Sequence, residues 1–344
     1  MATPTSRSSL SPRAASSPFG LSRRQFLSAV PLAALVGSCR RAPYRAEDFV
    51  LPERSPIALL DAPSYAVDFA DLIERALNTL GVDVRGRRVL CKPNLVEYRA
   101  SAPINTHPLV VAGAATALLR SGAREVLVGE GPGHRRDIEY LLTSTGLYDQ
   151  LRDLGVRFVD LNHDDVRVVT LRSRFTGLGE LALPVELLGA DLVVSLPKLK
   201  THHWAGMTAS MKNLFGVVPG AVYGWPKNLL HFRGIDRSIV DLAATVQPGL
   251  AIVDGVEAME GDGPIMGTGR ATGFIAVGTD PVAVDSTCAR IMGLDPEKIP
   301  YLETAGRFLG HLHPDRIEHR GERPERYRTR FEVIESLEWM RLES

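Results

Sequence analysis

Lysine and histidine side chains with the spacing of a ligand site are concentrated in one short segment, residues 197–202. If this segment is extended, its alternating side chains place Lys198, Lys200 and His202 on one face. Two ammonium groups and one imidazole repel each other unless an anion or acidic neighbours balance their charge. We therefore predict an anion-binding site here, and the alternative is an ordinary solvated loop that carries lysines.

Other cationic and amide side chains belong to two further predicted elements. Lys92 and Asn94 alternate around a proline directly after a short apolar strand, and Lys212 and Asn213 lie on a helix predicted at residues 208–215. Ammonium groups and amides are suited to binding a carboxylate or a phosphate. The expected binding set for an anionic small molecule is therefore Lys92, Asn94, Lys198, Lys200, Lys212 and Asn213.

Two histidines and two aspartates are candidates for general acid or base catalysis, or for binding a metal. His107 stands before a proline at a predicted helix start, with Thr106 as the expected cap, although a single histidine is more often structural. Asp254 follows an apolar strand, whereas Asp285 lies one turn inside a helix that Asp280 is expected to cap. The candidate catalytic residues are His107, His202, Asp254 and Asp285.

A divalent metal is another candidate ligand, because carboxylate oxygens on glycine-rich loops bind hard cations. Glu130 lies in the Gly-Glu-Gly-Pro-Gly turn at residues 129–133, and Asp262 lies in an acidic segment at residues 254–262. The turn lacks the spacing of a dinucleotide fingerprint, and Pro132 removes an amide donor. A plain turn and salt bridges to the lysines are the alternatives. The predicted metal ligands are Glu130 and Asp262, and the identity of any cofactor stays open.

The elements that must position these residues alternate between strands and helices from about residue 57 to residue 310. Apolar runs predict strands at residues 88–91, 125–129, 156–160, 191–196, 250–254 and 273–277, with a late strand at 330–334. Helical spacing predicts helices at residues 68–80, 108–120, 138–154, 208–215, 238–245 and 281–292. This alternation predicts an α/β fold with a mostly parallel sheet built from βαβ units, helices on both faces and, as an open alternative, two lobes. In such folds ligands bind beyond the carboxyl ends of the strands.

Residues 1–39 have the pattern of a twin-arginine export signal, since Arg23 and Arg24 precede a short apolar run that ends at Cys39. The run is far shorter than the roughly 20 residues that span a bilayer. Lipidation of Cys39 would tether the protein to the membrane surface, and ordinary cleavage is the alternative. We expect the twin-arginine translocase as the export partner, and a periplasmic or membrane-tethered location. The remaining regions are predicted to be a linker at 40–56, the α/β domain at 57–310 and a charged C-terminal extension at 311–344.

The charge of the chain argues against a nucleic-acid partner, and its cysteine content argues against an iron–sulfur cluster bound by this chain alone. The chain has 40 basic and 40 acidic residues, and its first 38 residues hold four of the basic ones and no acid. The remainder is mildly acidic and has no basic stripe, which argues against nucleic acid. Besides Cys39 only Cys91 and Cys288 remain, too few for an iron–sulfur cluster, which normally needs about four protein ligands. They form one disulfide or stay as two buried free thiols.

Taken together, the ordered motifs resemble the domain-of-unknown-function family 362 over about residues 57–300. They are Lys92-Pro93-Asn94-Leu95, Thr106-His107-Pro108, Gly129-Glu130-Gly131-Pro132-Gly133, Pro197-Lys198-Leu199-Lys200-Thr201-His202, Met211-Lys212-Asn213-Leu214-Phe215-Gly216, Glu260-Gly261-Asp262-Gly263-Pro264 and Asp280-Pro281-Val282-Ala283-Val284-Asp285. Many members of that family carry a ferredoxin-like segment and are described as iron–sulfur centre proteins, but this sequence shows no such cysteine cluster. The strand-end histidines and lysines are also distantly similar to those of the nickel-pincer lactate racemase, a two-lobed α/β enzyme, although a fold does not determine function.

Three functions are compatible with these observations. The first is an exported enzyme of unassigned reaction, whose crevice of lysine, histidine and aspartate binds a carboxylate or phosphate, with or without a divalent metal. The second is a noncatalytic, surface-tethered lipoprotein that captures an anion or a metal. The third, a redox partner associated with an iron–sulfur protein, needs a cofactor that two cysteines do not supply.

Overall fold

The computed structural model of the chain describes residues 42–133 and 136–343. The predicted export signal, with Arg23, Arg24 and Cys39, lies outside the described residues. In the described ranges, no helix combines the length and the apolar character that crossing a bilayer requires. From Pro43 onward the described chain forms one unit.

Ten strands of the described chain form one mixed sheet, and two more form a separate hairpin. The strands are β1 (Ser55–Asp61), β2 (Arg88–Pro93), β3 (Glu125–Glu130), β4 (Arg157–Asp160), β5 (Val166–Thr170), β6 (Glu180–Pro184), β7 (Leu192–Leu196), β8 (Lys198–His202), β9 (Gly206–Thr208), β10 (Leu250–Glu260), β11 (Thr268–Gly278) and β12 (Ile317–Gly321). The order across the sheet is β12, β1, β11, β10, β7, β2, β3 and β4, while β8 pairs with β10 and β9, and β5 pairs with β6.

Eleven α-helices connect or flank these strands in the described residues. They are α1 (Phe69–Leu80), α2 (Pro108–Arg120), α3 (Ile138–Thr145), α4 (Leu147–Leu154), α5 (Val185–Leu188), α6 (Ser210–Asn213), α7 (Gly220–Tyr223), α8 (Asn228–Phe232), α9 (Ile235–Val246), α10 (Pro281–Ile291) and α11 (Pro300–Ala305). The single helix predicted at residues 138–154 is two helices, because Gly146 adopts a left-handed φ of 78° between α3 and α4.

Side-chain caps account for where two of the site-bearing helices begin. The Asp280 carboxylate accepts the first free N–H groups of α10, as predicted. The prediction that Thr106 caps α2 is wrong, since the cap is His107, whose Nδ1 accepts the N–H of Leu109. The Thr106 hydroxyl instead donates to the carbonyl of Leu196 at 2.6 Å, and so links the loop before α2 to the end of β7.

Alternating side chains of the strands bury two apolar cores, one on each face of the sheet. In β2 the side chains of Val89 and Cys91 enter one core and that of Leu90 enters the other. The first core is completed by α1, α2 and α4, and the second by α9, α10 and α11. The predicted α/β fold, with a mostly parallel sheet and helices packed on it, is therefore confirmed.

The parallel part of the sheet comprises β4, β3, β2, β7 and β10, and the antiparallel strand β11 joins β10 to β1. The late strand predicted at residues 330–334 is wrong, because Phe331 is buried in the core and Val333 makes only an isolated bridge to Gly261. The C-terminal region instead supplies β12, which pairs in parallel with β1. At the other end of the described chain, Tyr44, in the region expected to be a linker, stacks on Phe308 with ring centroids 3.9 Å apart.

Candidate functional site

The carboxyl ends of β3, β2 and β7 lie side by side, because these strands are parallel neighbours. The next strand, β8, starts directly after Pro197 and extends beyond the same edge of the sheet. A cavity of about 400 Å³ lies there, a size suited to a small molecule. Its ionisable lining residues are Lys92, Glu130, Lys200, His202, His203, Lys212, Lys227, His231 and Asp262, and we refer to it as the lysine cavity.

The structure brings together eight of the twelve residues that the sequence motifs indicate. Those that line the lysine cavity are Lys92, Asn94, Glu130, Lys200, His202, Lys212, Asn213 and Asp262. Three others, His107, Lys198 and Asp254, lie in a second cluster, and Asp285 contacts the start of α6. The cationic residues therefore gather as expected, with Lys198 as the exception.

A buried ion pair joins the ends of β2 and β3. Lys92 Nζ lies 2.6 Å from Glu130 Oε2 and also donates to Asn213 Oδ1 at 3.1 Å. Burial lowers the pKa of Lys92, while the carboxylate of Glu130 acts in the opposite direction. The two Glu130 oxygens also accept the N–H groups of Leu95 and Gly131. The carboxylate is therefore fully engaged within the protein.

Glycines provide the space that this ion pair needs. A Cβ atom at Gly216 would overlap Glu130 Oε1 and Lys92 Nζ. A Cβ atom at Gly131 would come within 2.7 Å of both Asn162 Oδ1 and the Gly216 carbonyl oxygen. Gly131 and Gly216 thus allow close packing of protein groups against one another, which differs from the role of glycines in a phosphate-binding loop.

Lys200 is buried without a carboxylate partner in the described residues. Its Nζ donates to the carbonyl oxygens of Ile104 at 2.7 Å and Pro264 at 3.3 Å. Burial, followed by the neighbouring charge of Lys212, holds the pKa of Lys200 well below its usual value. Two carbonyl dipoles do not neutralise an ammonium group, so an anion in the cavity would stabilise its protonated form.

Lys212 is the cavity lysine with the fewest polar contacts. Within the described chain it makes no hydrogen bond and no ion pair, and its Nζ lies 4.0 Å from the ring centroid of Phe215. Burial and then the charge of Lys92 lower the pKa of Lys212, Glu130 opposes the shift, and the pKa that results is about 7. Its amine is therefore divided between charged and neutral forms near neutral pH.

Lys227 is a cavity residue that no sequence motif indicates. It adopts a left-handed φ of 70° before α8, and its Nζ donates to Asn162 Oδ1 at 2.7 Å and to the Val218 carbonyl. Burial lowers its pKa to about 7. Lys227 could have been identified from the rarity of lysine in the sequence, because only six of the 40 basic residues are lysines and the others are arginines.

His202 lies at the end of β8 with its ring buried. The Nδ1 atom accepts the N–H groups of Trp204 at 3.1 Å and Ala205 at 3.3 Å, so in the neutral ring Nε2 carries the proton. Burial, with a further contribution from the charge of Lys212, holds the pKa of His202 well below its usual value. The ring is consequently a neutral hydrogen-bond donor at pH 7.

The two predicted metal ligands have other partners. Glu130 pairs with Lys92, and Asp262 Oδ1 lies 3.3 Å from His203 Nδ1 with more than half of the aspartate side chain exposed. Over residues 42–133 and 136–343, no group of three or more His, Cys, Asp or Glu side chains is placed to hold a metal ion. The groups that are gathered are mainly cations, which suit an anionic ligand.

Lys198 belongs to a second cluster with Tyr65, His107 and Asp254. Lys198 Nζ lies 2.6 Å from both Asp254 Oδ2 and the Tyr65 hydroxyl. Asp254 Oδ2 also accepts the N–H of His107, whose ring stacks on Tyr65 with centroids 3.7 Å apart. Burial lowers the pKa of His107 to about 4, so this imidazole is neutral at pH 7. The cluster borders a separate cavity of about 370 Å³.

The separation of Lys198 from Lys200, contrary to the expectation of one patch, follows from an irregular pairing of β8. Lys198 pairs with Asp254, but Lys200, two residues later, pairs with Met259, five residues further along β10. A bulge between Gly255 and Glu257 accompanies this shift of register. The displacement of Lys198 from Lys200 therefore comes from the partner strand β10.

Asp285 has a positioning contact instead of a place in either cavity. Its carboxylate accepts the N–H of Ser210 at 2.7 Å, the N–H of Met211 at 3.0 Å and the Ser210 hydroxyl. Burial raises the pKa of Asp285 to about 7, and these hydrogen bonds oppose the shift. The carboxylate thereby holds the start of α6, the helix that carries Lys212 and Asn213.

Cys91 and Cys288 are free, buried thiols, which is one of the two predicted alternatives. They lie in the two different apolar cores, on opposite faces of the sheet. Burial raises the pKa of Cys91 to about 12, and that of Cys288 is also well above its usual value. Neither thiol is thus a ready thiolate nucleophile or ligand.

Two solved structures share the general α/β architecture at low sequence identity. The lactate racemase apoprotein from Thermoanaerobacterium thermosaccharolyticum is 16% identical with a TM-score of 0.42, over 71% of this chain and 59% of that chain. A protein from Thermotoga maritima is 16% identical with a TM-score of 0.37, over 62% of this chain and 56% of that chain. This chain thus spans less than two thirds of either structure, and likeness at this level does not indicate a shared activity.

Sequence comparison gives a firmer relationship. The thylakoid-associated protein sll1697 from Synechocystis sp. (strain ATCC 27184 / PCC 6803 / Kazusa) is 34% identical over 231 residues, which cover 65% of this chain and 68% of that protein. The family model described as Domain of unknown function (DUF362) matches residues 89–290, which include every residue that lines the lysine cavity. Since that match extends over more than half of the sequence, the chain belongs to the DUF362 family.

Proposed function

We propose that this protein is an exported enzyme that binds an anionic small molecule, with a carboxylate or phosphate group, in the lysine cavity. One observation carries the proposal: Lys200, Lys212 and Lys227 line one cavity, and none of them has a carboxylate partner among the described residues. Like charges so close together disfavour each other's protonated form, and a bound anion removes that penalty. Such an anion is the complementary ligand.

The acidic groups at the cavity supply only part of this compensation, since the charge of Glu130 opposes the pKa shifts of the three lysines without cancelling them. Glu130 is used by Lys92, and Asp262 lies at an exposed position beside His203. The lining also contains apolar side chains, including Phe215, Ile265 and Met266, so the ligand fits best with a small nonpolar part beside its charged group.

The state of the cavity lysines favours an enzyme over a simple binding protein. Lys212 and Lys227 have pKa values lowered to about 7, which is where a group transfers protons most effectively at neutral pH. His202 adds a neutral imidazole with its Nε2 proton available. Amines with such shifted pKa values are concentrated at functional sites, which supports an enzyme.

The proposed location is the outside of the cytoplasmic membrane, reached by the twin-arginine route, with or without a lipid at Cys39. The name of the Synechocystis relative, a thylakoid-associated protein, supports an association with membranes. Expression of the full chain with Arg23→Lys and Arg24→Lys should leave the protein in the cytoplasm, whereas Arg40→Lys and Arg41→Lys should not. Export that is unaffected by the first pair would contradict the proposed route.

Anion binding can be tested by thermal unfolding with inorganic phosphate and with pyruvate. Both probes should raise the Tm of the wild-type protein, and sodium chloride at equal ionic strength should not. Lys200→Met should lower the affinity by about 10- to 150-fold, since one charge-assisted hydrogen bond contributes about 1.5–3 kcal/mol. The matched control is Lys298→Met at the surface, which should bind as the wild type does. Equal stabilisation of the wild type and of folded Lys200→Met would reject the site.

A further inference from the structure

The distribution of lysine in this chain is unusual. Six of the 40 basic residues are lysines, and five of those six lie in the lysine cavity or in the neighbouring Lys198 cluster. The sixth, Lys298, is at the surface and pairs with Glu343. Arginine, which the chain uses almost everywhere else, is the better bidentate partner for carboxylates. What lysine offers and arginine does not is an amine that loses its proton and becomes a nucleophile.

Among the cavity lysines, contacts distinguish Lys212. Lys92, Lys200 and Lys227 each donate to at least two oxygen atoms of the protein. Lys212 has no such acceptor in the described chain, and its amine lies against the ring of Phe215. An amine that no oxygen acceptor holds can direct its lone pair toward a bound molecule.

The surroundings of Lys212 favour its neutral form. Burial and the charge of Lys92 lower its pKa to about 7, although Glu130 and the face of the Phe215 ring act in the opposite direction. Nearby cations on other elements disfavour a further positive charge, and desolvation beside cationic neighbours is a known way to activate a lysine nucleophile. The titratable groups that line the cavity around it are Lys92 on β2, Glu130 on β3, Lys200 and His202 on β8, and His203, Lys227, His231 and Asp262 on loops and α8.

We propose that Lys212 forms a Schiff base with the ketone carbon of a 2-oxo carboxylate bound in the lysine cavity. This rests on the proposed function, because the carboxylate is the anion assigned above. The lone pair of the neutral amine adds to the ketone carbon, and the electron pair of the C=O bond moves to oxygen. A proton then passes from nitrogen to that oxygen. Loss of one water molecule leaves a C=N bond to Lys212, so that amine and ketone give imine and water with no change of oxidation state.

Other lining groups are suited to the steps of this addition. Lys200 and Lys227 provide positive charge for the carboxylate. Asn94 Oδ1 is buried, lines the same cavity and has no hydrogen-bond partner in the described structure. This oxygen can accept a hydrogen bond from the hydroxyl group of the tetrahedral intermediate. His202, with its proton on Nε2, can donate a hydrogen bond to the departing oxygen, and its ring stays neutral.

The Schiff base can be trapped by reduction. The full-length protein is incubated with pyruvate or with 2-oxobutyrate, in separate reactions, together with sodium cyanoborohydride, and is mapped by mass spectrometry. The reduced adduct should appear on Lys212 and should exceed that on the surface residue Lys298 by at least tenfold. Lactate, which has the carboxylate but no ketone, should give no adduct. Lys212→Met should lose the labelling, whereas Lys298→Met should keep it.

The possible failures can be told apart. Labelling of Lys212 and Lys298 to equal extents, or no adduct with either oxo acid, overturns the Schiff base. If pyruvate and phosphate still raise the Tm in that case, the anion site stands without the covalent step. If neither probe raises the Tm, the proposed function fails as well. Correct folding of Lys212→Met, checked by circular dichroism, excludes loss of the fold as the reason for lost labelling.

Discussion

Replacing Glu130 by glutamine should lower the free energy of unfolding, because it leaves the buried charge of Lys92 without its carboxylate partner. The carboxylate is buried, lies 2.6 Å from Lys92 Nζ and accepts two backbone N–H groups. Glutamine keeps the shape but removes the charge that balances Lys92. Leaving one partner of a buried pair without compensation costs about 3–5 kcal/mol, so the free energy of unfolding of Glu130→Gln should fall by about that amount at neutral pH.

The same variant should show a diagnostic pH dependence. Burial already lowers the pKa of Lys92, and without Glu130 the folded-state pKa should fall further. Between that value and the unfolded value of about 10.4, the unfolded chain binds more protons than the folded chain. Stability therefore rises with pH in this window, and the deficit of Glu130→Gln should shrink as Lys92 becomes neutral in the folded state.

Urea unfolding followed by tryptophan fluorescence at about pH 7 and about pH 9 measures both effects. The matched control is Glu343→Gln, which removes the carboxylate from the exposed pair with Lys298 and should change stability little at either pH. Equal losses in the two variants, or a deficit in Glu130→Gln that grows with pH, would refute the assignment of Lys92 as a charged, buried partner.

Trinitrobenzenesulfonate should modify Lys212 at a rate that rises through about pH 7. Lys298 should react only at higher pH, because its hydrogen bond to Glu343 raises its pKa above the ordinary value, and coinciding profiles in peptide mapping would contradict this. In Asp285→Asn, the decline of stability as pH rises from about 4 to about 7 should be smaller than in the wild type in urea titrations, because the folded Asp285 carboxyl retains a proton that the unfolded one has released. Gly216→Ala should lower both stability and phosphate binding, whereas Gly179→Ala, with open space for a Cβ atom, should change neither.

The general fold was open to prediction because its signals are local. Apolar runs alternate with amphipathic helices along the chain. Asp280 caps the start of one helix, and Gly146 ends another, and both effects depend on the residue type at that position. The edge strand Ile317–Gly321 was missed, since its pairing with β1 joins residues far apart in sequence. No local pattern separates it from the nearby segment around Phe331, which is buried without joining the sheet.

From the sequence, only the part of the candidate site that lies at the ends of parallel strands could be predicted. Lys92, Lys200 and Lys212 follow or adjoin parallel strands, so their meeting at one edge follows from the topology. The diversion of Lys198 depends on the bulge in β10, which alternation along β8 does not reveal. Lys227 lies in a loop without periodicity, and its place at the cavity depends on tertiary contacts such as the hydrogen bond to Asn162.

Titration calorimetry of the wild-type protein and of the double variant Lys200→Met, Lys212→Met tests the central claim most directly. Phosphate and pyruvate should bind to the wild type at one site per chain, and binding should weaken as salt concentration rises. The double variant, if folded, should show no measurable heat of binding, while Lys298→Met should match the wild type. Undiminished binding of these anions to the double variant would show that the lysine cavity is not the anion site.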